Sequence, residues 1–306
     1  MDVRDFISKA YDANAFTTVQ TSAGYINPEI WNKEVLRHVE ANLVVAPLGK
    51  QYTDLLNKPG DTLNITIGVE PAAAAAVAES ASVSITAYQK TQIVFTPSEY
   101  GAAYQLTNKE KDRAFINVMQ DMTAQLGYQL ALAKDTLLVA LLQASAGNSV
   151  VANSVVASAL ASSDTLDYDD IVNAKKAIMI DKLIPKYLIV GAEQYADLLK
   201  LAAFRDASQF GGSVAKNGFV GTVSGLEVFW TTQVAATTDS TPTAKALVLG
   251  VDGSGVPSFG IAQKRQPYLE TEYHALLRYR DIVAVEDYDI KVLRANGICT
   301  IESWAA

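Results

Sequence analysis

Apolar and polar positions fall into successive patterns along the chain. Residues 1 to about 25 show no sustained period and end in a polar stretch at 17–22, which predicts an extended arm. Asn27, Pro28 and Glu29 then have the order of an N-cap, a first helical position and an acidic first turn. Trp31, Val35, Val39 and Leu43 follow at helical spacing, and Pro47 ends that element. From Gly60-Asp61 the period becomes two. Leu63, Ile65, Ile67 and Val69 alternate with Thr62, Asn64, Thr66 and Gly68, which predicts a strand with one apolar face, stopped by Pro71. Residues 85–95 and 100–106 read as returning strands broken near Pro97. Together they predict a protruding β-ribbon with a small-residue tip that begins at Ala72, Ala73, Ala74, Ala75 and Ala76. That run fits a flexible tip and equally a short helix or solvated linker.

Helical spacing returns after Thr107, which with Glu110 has capping-box spacing. Phe115, Met119, Met122, Leu126, Leu130, Leu137 and Leu141 recur every three or four residues, with some longer gaps, and no proline intervenes. One helix from about residue 108 to about 144 would be roughly 55 Å long. A coiled coil is the other option, but the apolar stripe is wide and lacks a strict heptad. A small-residue connector spans 147–163. Shorter elements then alternate: a helix capped by Asp167 through Ile171, Ala174 and Ile178, a strand at 187–190, a helix at 192–201, and strands at 226–230 and 246–251. Asp252-Gly253 marks a turn, the chain is β-rich from Ser258, and residues 288–303 read as a hairpin about Asn296-Gly297.

Composition narrows the function. The 306 residues carry 25 Lys and Arg against 33 Asp and Glu, a formal net charge of -8, which argues against a nucleic-acid binder. Only 19% of residues are charged while 49% are hydrophobic, and mean hydropathy is +0.11. No run of about 18 apolar residues exists to cross a bilayer. The richest stretch, 130–142, is interrupted by Lys134 and Asp135. A subunit that buries much of its surface against neighbours accounts for the same numbers. The N-terminus has no apolar core of signal-peptide length.

Candidate chemistry is sparse. Cys299 is the single cysteine, so no internal disulfide forms, and its apolar neighbours Ile298 and Ile301 predict a buried, inert thiol. His38 and His274 are the two histidines, too few for a zinc site without carboxylates. Asp164, Asp167, Asp169 and Asp170 fail the spacing of a calcium loop and read as a helix start. Gly218, Gly221 and Gly225 miss the dinucleotide spacing and precede a strand where a helix is required. No catalytic, cofactor-binding or metal residues are assigned, and no cofactor is expected.

The order of elements resembles the major capsid protein of tailed bacteriophages, an α+β fold shared with encapsulins and the capsid floor of herpesviruses. The matching stretches are Glu29-Ile30-Trp31-Asn32-Lys33-Glu34-Val35, Gly60-Asp61-Thr62-Leu63-Asn64-Ile65, Ala131-Leu132-Ala133-Lys134-Asp135, and the loop from Asn217-Gly218 through Gly221 to Val228. The resemblance implies an N-terminal arm (1–50), an extended β-hairpin loop (51–106), the spine helix of a peripheral domain (107–144), an axial α/β domain (145–245) and a return to the peripheral domain (246–306). It implies self-assembly into pentamers and hexamers of an icosahedral shell that encloses double-stranded DNA without sequence-specific binding. Subunit contacts are expected at Trp31, Ala72, Ala73, Ala74, Ala75, Glu79, Gly212, Gly218 and Gly221. No large cleavable helical segment precedes the ribbon, so a separate scaffolding protein is expected, with a portal protein and decoration proteins as further partners. The implied place is the virion capsid, assembled in the host cytoplasm, with no membrane association and no enzymatic activity. The alternatives are an encapsulin-like nanocompartment shell and, more distantly, an α/β enzyme.

Overall fold

The structure is a computed structural model and describes residues 44–69, 73–74, 76–77, 79, 82–83, 85, 87–114, 118–201, 221–237 and 242–305. The arm and the Trp31 helix up to residue 43 lie outside the described residues, as does the stretch 202–220.

A 3-10 turn at Ala46–Leu48 leads into a short strand, β1 (Lys50–Tyr52). The alternation from Leu63 forms β2 (Leu63–Gly68), antiparallel to β3 (Lys90–Phe95) from Leu63 opposite Phe95 to Gly68 opposite Lys90. Opposed residues share a face, so Leu63, Ile65, Ile67, Ile93 and Phe95 line one side of this ribbon. The ribbon is shorter than expected, because residues 87–89 and 100–106 are not part of it. Strand β4 (Ser98–Thr107) pairs instead with β11 (Tyr279–Val292). The chain changes sheet at Pro97, which cannot donate to a ladder. The preceding N–H, of Thr96, goes to Asp289 Oδ2 at 2.8 Å.

The long helix is broken. Thr107 does cap a helix, its Oγ1 accepting from the Glu110 N–H at 3.2 Å, but α1 (Asn108–Arg113) ends at Ala114 in extended backbone. Its sequence, Asn-Lys-Glu-Lys-Asp-Arg, has no apolar side chain to bury and so nothing to hold it in line with the next helix. That helix, α2 (Val118–Ala144), has 27 residues and is about 40 Å long. Leu126 and Leu130 are buried as expected. Toward the C-terminus the buried line runs through Leu138 and Leu142, one position beyond the Leu137 and Leu141 read from the sequence. Spacings of four from Leu126 to Leu142 keep one face inward, and Lys134 falls on that line.

Strand β5 (Asn148–Val151) occupies the expected connector. Helix α3 (Tyr168–Ile180) is capped by Asp167, whose side chain accepts from the helix while its own N–H donates to Asp170 at 3.1 Å. Ile171, Ala174 and Ile178 face inward. Then come β6 (Ile184–Val190), α4 (Ala192–Lys200), β7 (Thr222–Val223), β8 (Leu226–Trp230), β9 (Thr243–Val251), β10 (Phe259–His274), β11 and β12 (Ile298–Trp304).

These strands form two larger sheets, ordered β1-β10-β11-β4 and β5-β12-β9-β6-β8-β7, beside the β2-β3 ribbon. Both faces of the six-stranded sheet are covered, so β9 is an almost continuous apolar run. Ala246 and Val248 pack toward α3 with Leu188, Val190 and Ile301. Leu247 and Leu249 pack the other way, toward Leu138, Val139 and Leu142 of α2 and Phe259 and Tyr288 of the smaller sheet. The first half of α2 lies on that smaller sheet through Leu126, Leu130, Ile282 and Ala284. Helix α2 therefore ties the two sheets together.

The expected hairpin about Asn296-Gly297 does not form. Strand β12 pairs with β9 and β5, while β11 belongs to the other sheet. The Asn-Gly pair sits in a 3-10 turn at Ala295–Gly297 that carries the chain between sheets. Gly297 is required there because a Cβ would collide with the Ser258 side chain. The long hairpin is β10–β11, joined by residues 275–278 with Arg278 at φ 56°.

Candidate functional site

A junction and three exposed surfaces are the features of the fold that bear on function. The junction lies where the N-terminal segment meets α2. Asp135 is completely buried, and its carboxylate accepts the backbone N–H groups of Val44 at 3.0 Å, Val45 at 3.3 Å and Ala46 at 2.8 Å. A buried carboxylate is tolerable when it is this fully hydrogen-bonded. One residue earlier, Lys134 donates to Glu286 on β11, which also accepts from Gln263 Nε2 at 2.8 Å. The Lys134 ammonium stands 4.7 Å above the ring of Tyr288, and that ring stacks on Tyr100 at 4.4 Å. Burial, then the neighbouring Tyr100 and Glu286, push the Tyr288 hydroxyl far above its ordinary range. The pair Lys134-Asp135 therefore joins the helix to β11 with one side chain and to the backbone of Val44 to Ala46 with the other.

The first exposed surface is the ribbon and its tip. Its root is fixed: Phe95 is buried, and its ring lies 5.7 Å from that of Tyr52. Beyond the root, Val69, Val77, Val83, Ile85 and Tyr88 are exposed, Ile85 at 98%. The second is the turn of the long hairpin, where Leu276 is 99% exposed and Leu277 follows it into solvent. The third is the outer side of α3. Val172, Met179 and Ile180 are exposed there beside Lys175 and Lys176, and the Lys175 ammonium is tied to the Ser224 carbonyl. Single exposed apolar residues are ordinary, whereas grouped ones mark contact surfaces.

Of the residues expected at contacts, Ala73, Ala74 and Glu79 are exposed on the ribbon tip. Gly221 is half-buried at the base of the β7–β8 hairpin, where its carbonyl accepts the Val228 N–H at 3.3 Å. These two groups sit on different elements. Trp31, Ala72, Ala75, Gly212 and Gly218 lie outside the described residues. The sequence marks Lys134 and Asp135 as interruptions of an apolar run and as the end of a stretch that carries the family resemblance, but gives neither side chain a role. Their signal was a cation at the four-residue spacing of Leu126, Leu130, Leu138 and Leu142. Leu276-Leu277 also went unmarked, although two leucines beside a turn are unusual where Gly, Asn or Asp is the rule.

Among the described residues no group of three or more His, Cys, Asp or Glu could hold a metal ion. Cys299 is buried between sheet strands, and burial pushes its thiol up to about 12, which leaves it protonated and inert. His274 Nε2 lies 3.0 Å from Asp281 Oδ2, and the imidazole packs on Tyr279. The acidic cluster divides between caps: Asp167 and Asp170 start α3, and Asp164 closes the turn before it through the Ala161 N–H. Among the described residues no helix is long and apolar enough to cross a membrane.

Solved phage capsid chains are similar in fold to this one. The capsid of cyanophage Pam1 superposes with a TM-score of 0.71 at 15% identity, over 95% of this chain and 99% of that one. The capsid of cyanophage P-SCSP1u gives 0.71 at 14%, over 92% and 94%. A chain of Mycobacterium phage Che8 gives 0.67 at 16%, over 90% and 97%. At these identities the likeness is one of fold. Among curated proteins none matches the sequence. A family model described as phage capsid protein matches residues 89–306, from the last residue before β3 to the C-terminal end of the chain. The nanocompartment and enzyme alternatives are not favoured by these matches. With more than half of its length matched, the chain belongs to the phage capsid protein family.

Proposed function

We propose that this chain is the major shell subunit of a tailed-phage head, and that it works by contact rather than by catalysis. The observation that carries this is the β2–β3 ribbon. Two six-residue strands with no third strand among the described residues are marginal alone and gain stability by packing on another surface. The family match and the whole-chain fold likeness support a shell role. The ribbon then serves as the extended loop. The four-stranded sheet with α2 serves as the peripheral part, and the six-stranded sheet with α3 and α4 as the axial part. Many weak contacts, repeated around pentamers and hexamers, hold a closed surface together. An acidic chain of this kind encloses DNA without adhering to it. By the same analogy a separate scaffolding protein directs closure in the host cytoplasm, a portal fills one vertex and decoration proteins bind outside.

Expression with the scaffolding protein, followed by sedimentation and negative-stain microscopy, tests the proposal. Closed shells or tubes are expected, and compact monomers under every condition would overturn it.

A further inference from the structure

The outer edge of β10 is paired along only part of its length. Strand β1 covers Gly260–Ala262, and among the described residues no strand lies on that edge beyond residue 262. Between Gln263 and Tyr268 the strand is interrupted by two register shifts and by Pro267. Bulges and prolines are the devices by which natural sheets blunt an exposed edge. From Tyr268 to His274 neither device is present, and seven residues pair with β11 in unbroken register. That leaves about 23 Å of backbone able to accept another strand.

The side chains along this edge alternate. Leu269, Thr271 and Tyr273 share a face with their partners Ala284, Ile282 and Arg280, and Ile282 and Ala284 lie under Leu126 and Leu130. Leu269 and Tyr273 mark the margin of that covered face, each 48% exposed. Glu270 and Glu272 point to the opposite face and are exposed. Strand β3 of the ribbon has the complementary pattern. Lys90 and Gln92 lie on one face, and Thr91, Ile93 and Phe95 on the other, in a strand whose outer edge is likewise unpaired among the described residues. The two strands are also of similar length, six residues against seven.

We propose that β3 of one copy adds as a strand to residues 268–274 of β10 in a second copy, with Lys90 against Glu272 and Ile93 beside Leu269 if the strands run antiparallel, or Lys90 against Glu270 and Ile93 beside Tyr273 if they run parallel. Both matches hold in the same parity. A slip of one residue would set Lys90 against the apolar face and Ile93 among the carboxylates. Backbone hydrogen bonds supply the attachment and the alternating side chains supply the register. The charge pairs are exposed and weak singly, and they count because a shell repeats them. The inference rests on the shell proposal and names the surface that receives the ribbon.

Paired cysteines test it. Opposed residues of neighbouring strands have Cα atoms about 4.5–5.5 Å apart, within disulfide range. Cys299, buried and protonated, does not compete. Shells of Lys90→Cys/Glu270→Cys and of Lys90→Cys/Glu272→Cys are oxidised and run on non-reducing gels. A ladder of covalent multimers from one of the two variants is expected. Shells that yield only monomers in both, or an internal disulfide within one chain, overturn strand addition while leaving the shell proposal standing. A wild-type chain that forms no shells overturns both. Charge exchange gives a second readout. Lys90→Glu is expected to cut shell yield, and adding Glu270→Lys and Glu272→Lys to restore it. A yield that the exchange does not restore counts against the pairing.

Discussion

Asp135 accepts the backbone N–H of Ala46 at 2.8 Å across 89 residues of sequence, so the spine helix itself holds the root of the N-terminal segment. Asp135→Ala would leave three N–H groups at a buried site with no acceptor. The expected loss of stability is about 3 kcal/mol or more. Asp135→Asn, which keeps one oxygen, should lose less. Denaturant unfolding of the subunit checks both, and an unchanged midpoint for Asp135→Ala would mean that these bonds do not hold the root.

Lys134 and Glu286 form a nearly buried pair, their side chains 16% and 2% exposed. Glu286→Gln should cost about 3 kcal/mol, because it strands the ammonium beside Tyr288. The double variant Lys134→Met/Glu286→Gln should recover much of that loss. A double-mutant cycle measures the coupling, and strict additivity would contradict a direct interaction.

Leu126 is buried between α2 and the smaller sheet. Leu126→Asp should prevent soluble folding, since an unpaired carboxylate in that contact costs more than about 4 kcal/mol. Circular dichroism of the soluble fraction decides it. A normally folded, soluble variant would mean that the helix does not pack on Ile282 and Ala284.

Asp164 carries a pH dependence of known sign. Its carboxylate accepts from Asn153 Nδ2 and from the Ala161 N–H, each at 2.9 Å, and these bonds hold its carboxyl below the ordinary value of 3.8. The folded state thus binds this proton less readily than the unfolded chain. Its contribution to stability is complete above the ordinary value and is lost as pH falls through the lower folded value. Thermal melts of wild type and Asp164→Asn should converge in strongly acidic buffer and separate above it. Parallel curves across the whole range would contradict the assignment.

Removing residues 72–84 should leave a folded subunit that assembles poorly. None of the described residues of that stretch belongs to the three buried clusters. The thermal midpoint should match wild type while shell yield falls by about tenfold. Unchanged assembly would remove the tip from the contacts.

Local pattern was legible in the sequence wherever a segment buries one face. The alternation at Leu63–Gly68, the Asp167 cap and the Leu226–Trp230 strand all appear in the structure, because period and cap chemistry are local. Pairing was not legible. Tyr100 follows Phe95 closely in sequence yet joins a different sheet, since the partners of β4 come from residues 279–288. Asn296-Gly297 has the composition of a hairpin turn but is used for close packing on Ser258. Lys134 and Asp135 looked like breaks in an apolar stripe because their partners, Glu286 and Val44 to Ala46, are distant in sequence. Most of the expected contact positions lie outside the described residues. On the ribbon, which is described in part, Ile85 is almost fully exposed.

In the proposed shell the ribbon is held by a neighbouring subunit. Cryo-electron microscopy of assembled particles, at a resolution that traces β2 and β3, tests it most directly. Closed particles are expected in which each ribbon crosses to the adjacent subunit and rests on its four-stranded sheet. Particles in which every ribbon folds back onto its own subunit would contradict it.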